Sequence, residues 1–163
     1  MHPIHDVDVL LLLATALASK RRPAQLSEIM AATDLLHDSI PLDVELAAGF
    51  RRLAANDLIS GEADSLCLTA AALKIMDSLP RRKTETVERL AAIREQLAGY
   101  TPRAEASTIP PTTEQLTAAI LAHRTFLKGP GRNMLVPKPK PPVERNKRPG
   151  PWRKPDPARR SRG

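Results

Sequence analysis

Leu46-Ala47-Ala48-Gly49-Phe50-Arg51-Arg52-Leu53-Ala54-Ala55-Asn56-Asp57-Leu58-Ile59, continued beyond a short polar stretch by Leu66-Cys67-Leu68-Thr69-Ala70-Ala71-Ala72-Leu73, is the part of the chain on which the fold turns. Leu46, Ala47, Phe50, Leu53 and Ala54 recur at helical spacing, which predicts a helix opened by Pro41 and Asp43 and finished at Asn56-Asp57. Leu58-Ile59 and Leu66-Cys67-Leu68 flank the turn-forming run Ser60 to Ser65, the pattern of a short β-hairpin with Cys67 on a buried strand. Thr69 then caps a helix from Ala70 to Leu79, which Pro80 stops.

Upstream, a first helix is expected from about Asp6 to Lys20. Acidic residues stand in its first turn and Lys20-Arg21-Arg22 at its end, each complementing the helix dipole. Leu10 to Leu13 make it apolar almost all round, so it belongs at the centre of a domain. Leu26, Ile29 and Met30 mark a second, short helix ending near Thr33-Asp34, with a polar loop through His37-Asp38-Ser39 behind it.

Three helices, a hairpin and a fourth helix, with the cadence of Leu46 to Ile59 and a strand running through Leu68-Thr69 into the next helix, resemble the winged helix-turn-helix superfamily over about residues 6–79. The resemblance implies a mainly α winged-helix domain of a small bacterial type, whose third helix and wing face DNA. The chain departs from the pattern in one place: the loop from Leu35 to Leu42 is longer than the tight turn that defines a helix-turn-helix.

Downstream, Thr84 to Leu97 reads as an added helix carrying the stripe Val87, Leu90, Ile93 and Leu97, which either pairs with a second copy or packs back on the domain. A linker over 99–111 leads to an amphipathic helix at 112–128. Thr112 and Gln115 form a capping box there, Leu116, Ala119, Ile120, His123 and Leu127 make the stripe, and Gly129 is the stop. Docking on the main domain is the favoured fate of that stripe, and gripping a partner protein is the other. From 129 to 163 alternating proline and basic residues predict a disordered, extended tail.

Charge divides along the same boundary. Residues 1–100 carry 11 basic against 14 acidic residues, whereas 101–163 carry 14 against 4, a net of +10. Candidate nucleic-acid contacts are therefore Lys20, Arg21 and Arg22, Arg51 and Arg52 on the third helix, and the tail residues Lys138, Lys140, Arg145, Lys147, Arg148, Arg153, Lys154, Arg159, Arg160 and Arg162, with Trp152 placed to stack on a base. The third helix itself reads poorly for groove contact: it opens on Asp43 and Glu45, the wing tip carries Glu62 and Asp64, and Arg51 and Arg52 are also placed to pair with nearby acids.

No phosphate-cradling glycine loop or nucleophile constellation is present. His37 and His123 stand isolated, the N-terminal His2, His5, Asp6 and Asp8 make a poor metal cage, and Cys67 is the only cysteine. A cytoplasmic, non-enzymatic protein without cofactor or metal is expected. The apolar run from Val9 to Ala18 is too short to span a bilayer. The leading expectation is a DNA-binding or transcription-associated regulator, with the tail adding non-specific affinity for DNA or RNA. Its rival is a protein-interaction module on the same scaffold, using 113–128 and the tail.

Overall fold

The computed structural model describes residues 3–62, 64–79, 85–102 and 108–129. In order, these hold α1 (Asp6–Ala18), β1 (Ala24–Gln25), α2 (Leu26–Leu36), α3 (Asp43–Ala55), β2 (Ile59–Glu62), β3 (Ser65–Leu68), α4 (Ala70–Asp77), α5 (Thr86–Ala98) and α6 (Thr113–Lys128). The architecture is mainly helical, with one small antiparallel sheet of order β1-β3-β2.

Helix α1 forms the centre, as its composition requires. Val9 to Ala14 are all buried, and the helix packs on α2, α3, α5 and β3. Helix α3 comes close to it where Gly49 faces α1: a Cβ there would stand 2.8 Å from Leu11 Cδ1 and 3.3 Å from Asp8 Oδ1. The missing side chain lets the two helices approach at that point.

Helix α3 ends in a tight reversal that launches the hairpin. Asp57 N–H bonds to Ala54 O and Leu58 N–H to Leu53 O, both at 3.0 Å, while Asp57 takes a φ of 53°. This is a Schellman closure with an aspartate at the left-handed position that glycine usually fills. Leu53 and Leu58, both fully buried, supply its hydrophobic contact. The hairpin then pairs Ile59 with Leu68 and Glu62 with Ser65.

Gly61 has a φ of 126° and lies so close to Ser65 O that no side chain fits. The third strand, β1, is two residues long, with Ala24 opposite Leu66. No periodicity announces so short a strand; the free edge of β3 recruits it.

Several boundaries move slightly from those expected. Helix α2 runs on to Leu36, two residues beyond the predicted end. Helix α5 starts at Thr86 and α4 stops at Asp77. Thr69 caps α4 through Oγ1 as expected, accepting from Ala72 N–H at 3.3 Å. Pro80 and residues 81–84, with the expected helix start at Thr84, lie outside the described residues.

The C-terminal part of this unit is sewn onto the core. Tyr100 Oη donates to Asn56 O at 3.0 Å and Thr108 Oγ1 to Ile59 O at 2.9 Å. Helix α6 opens on the capping box of Thr112 and Gln115 and buries Leu116, Ala119, Ile120 and His123 against α2 and α3. Gln115 and Ala119 flank Gln25 and Leu26, whereas Ala122 and Phe126 flank Ala31, so α6 runs parallel to α2. Of the two fates open to its stripe, docking on the domain is the one observed for Leu116, Ala119, Ile120 and His123, whereas Leu127, in the last turn, stays exposed.

Candidate nucleic-acid interface

The face that should approach DNA begins at the N-terminal turn of α3. Asp43 is half-buried, and Val44 and Glu45 are exposed. Asp43 is also taken: its Oδ2 accepts from Thr117 Oγ1 of α6 at 2.9 Å. The hairpin tip is tied to the same helix, with Gln115 Nε2 donating to Asp64 Oδ1 at 3.3 Å. Helix α6 thus bridges the start of α3 and the hairpin.

Farther along α3 the two arginines part company. Arg51 is exposed. Arg52 turns inward to Asp8, whose side chain is 0% exposed; Nε lies 2.9 Å from both carboxylate oxygens and Nη2 2.7 Å from Oδ1. The backbone N–H of His5 adds a bond to Asp8 Oδ2 at 3.1 Å. Arg52 therefore leaves the set of candidate nucleic-acid contacts. Burying Asp8 on the inner face of α1 demands a cation, and the α1–α3 contact supplies this one.

At the end of α1, Lys20, Arg21 and Arg22 are all exposed. Arg22 is engaged through a two-pronged pairing with Glu28, Nη1 to Oε2 at 3.1 Å and Nη2 to Oε1 at 2.5 Å. Glu28 also accepts the Gln25 N–H at the start of α2, at 2.9 Å. That backbone bond first, and Arg22 second, hold its carboxyl below the ordinary carboxylate range. Lys20, Arg21 and Arg51 remain exposed, and no hydrogen bond or ion pair engages them among the described residues. The tail candidates from Lys138 to Arg162, Trp152 included, lie outside the described residues.

The α5 stripe divides. Ile93 and Leu97 are fully buried in the domain, Leu90 is half-buried, and Val87 is 73% exposed. Packing back within the chain therefore uses Ile93 and Leu97 fully and Leu90 in part, and leaves Val87 out. Arg94 Nη1, on the same helix, pairs with Asp6 Oδ1 at 2.5 Å.

Two single-residue readings are corrected. Cys67 is half-buried rather than buried, because Leu66 and Leu68 take the core side of β3 and turn it to the other face, where Sγ lies 3.2 Å from Ser60 Oγ. His123 is not isolated: it is nearly buried between α6 and α2, with Nε2 3.0 Å from Asp34 Oδ2. Its place in the α6 stripe beside Ile120 was the available signal; the partner on α2 was not visible in sequence. His37 Nδ1 is turned to Ser39 O at 2.8 Å within its own loop.

Among the described residues no group of three His, Cys, Asp or Glu side chains could hold a metal ion, and no helix is long and apolar enough to cross a membrane. No protein-family model, curated protein or solved structure matches the chain.

Proposed function

We propose that residues 6–79 are a winged helix retained as a non-enzymatic interaction module, with nucleic-acid contact left to exposed basic residues outside the groove-reading face. The element order α1-β1-α2-α3-β2-β3-α4 and the sheet order β1-β3-β2 support the scaffold. One observation carries the functional part. Helix α6 covers α2 and α3 and is hydrogen-bonded to both Asp43 and Asp64, so the start of the recognition helix and the tip of the wing are already tied down from within the chain. The acidic opening of α3 works in the same direction, since a carboxylate turned to phosphate repels it.

The net charge of +10 over residues 101–163 favours a second reading, a transcription-associated DNA-binding regulator anchored by its tail. Both readings are tested by titrating duplex DNA with the full chain and with a chain ending at Gly129, at several salt concentrations. The shorter chain keeps α6, whose Leu116, Ala119 and Ile120 belong to the core. The interaction-module reading expects the full chain to bind without sequence preference and with a steep salt dependence, and the shorter chain not to bind. Site-dependent binding by the shorter chain overturns it in favour of the regulator.

A further inference from the structure

Two parts of the domain that a minimal bundle of three helices and a hairpin does not need, the long α2–α3 loop and the added helix α5, line one cleft. It lies over the outer side of α1 and has a volume of about 610 Å3, within the size range of small-molecule sites. Val9 and Leu10 make its floor, and Val87, Leu90 and Ala91 of α5 make one wall. Pro41, Ser39 and His37 of the loop and Glu45 of α3 close the opposite side. The end of the α5 stripe that the core leaves uncovered, Val87 and the outer side of Leu90, is thus the apolar lining of a concave surface.

We propose that this cleft binds a small organic cation, an apolar body of about bicyclic size bearing one amine. The apolar floor and wall call for the body. The charged groups at the mouth decide the head: Asp6 and Glu45 are acidic, and Arg94 is the only lysine or arginine lining the cleft among the described residues. Arg94 is answered by Asp6 at 2.5 Å. Glu45 is exposed and has no partner among the described residues, so the uncompensated charge of the described lining residues is negative. His37 keeps its Nδ1 on Ser39 O at 2.8 Å, within its own loop. Because one wall is the loop leading into α3, an occupant would bear directly on the setting of that helix.

The test is calorimetric titration of the full chain at neutral pH with three probes of one shape: 2-naphthylmethylamine, 2-naphthylmethanol and 2-naphthoate. The amine binds, the alcohol binds about fivefold more weakly, and the carboxylate does not bind. Glu45→Gln brings the amine down to the level of the alcohol and leaves the alcohol unchanged. Ala91→Phe, at an exposed position on α5, fills the cleft and abolishes binding of both while the thermal transition stays in place. Equal binding of all three probes, binding that survives Ala91→Phe, or no binding at all overturns the proposal. So does a full chain that sediments as a dimer and becomes monomeric with Val87→Glu, because a second copy would then be the occupant.

Discussion

Replacing Arg52 by methionine keeps most of the aliphatic stem and deletes the guanidinium that holds Asp8. The Asp8 side chain is fully buried and would retain only the His5 N–H, whereas the Arg52 side chain is 29% exposed. The two single losses are therefore unequal. Arg52→Met strands a buried carboxylate and should cost about 3 kcal/mol. Asp8→Ala frees an arginine that can turn to water, so its cost is about 1–2 kcal/mol, mostly from the lost bond at the start of α1. The double variant should lie close to Asp8→Ala alone, giving a coupling of about 3 kcal/mol, the whole cost of the Arg52→Met change. Urea unfolding of the full chain reads this directly: with a slope of roughly 1.5 kcal/mol/M, Arg52→Met lowers the midpoint by about 2 M. A loss below about 1 kcal/mol for Arg52→Met, or two effects that simply add, would refute the reasoning. Unchanged DNA affinity in the same variant would separate this structural role from the one its position on α3 suggested.

Two further outcomes follow from local geometry. Glu28 has its carboxyl lowered from the ordinary 4.5 by the Gln25 N–H and Arg22, so its contribution is present above that pH and lost as pH falls through the folded-state value. Glu28→Gln should therefore flatten the acid limb of the stability profile and, since the group is partly exposed, cost only about 0.5–1 kcal/mol at neutral pH, measured by urea midpoints across a pH series. Asp57→Gly relieves a left-handed aspartate at the end of α3 and should raise stability by about 0.5–1 kcal/mol; a lower thermal midpoint would count against the Schellman reading.

Features set by local chemistry were legible in sequence. The leucines of α1 announced a central helix because no face was left polar, and Thr69 and Thr112 marked two helix starts through side-chain bonds that span three residues. Cadence placed the hairpin. What escaped was settled by partners distant in the chain. Arg52 meets Asp8 across 44 positions and His123 meets Asp34 across 89, so neither pairing leaves a local signature. The same holds for β1, two residues that are a strand only because β3 offers an edge. The α5 stripe was read as uniform, yet the core buries its Ile93 and Leu97 end fully, Leu90 only in part, and leaves Val87 exposed.

Because α2 and α6 lie side by side and point the same way, their carbonyl ends gather at one corner of the molecule. Antiparallel neighbours cancel their fields; these two add, leaving two negative poles together near Leu36 and Lys128. Arg124 and Lys128 stand at that corner as counterweights. Each should contribute more there than on a lone surface helix, and salt should loosen the hold of α6 before it touches the rest of the bundle.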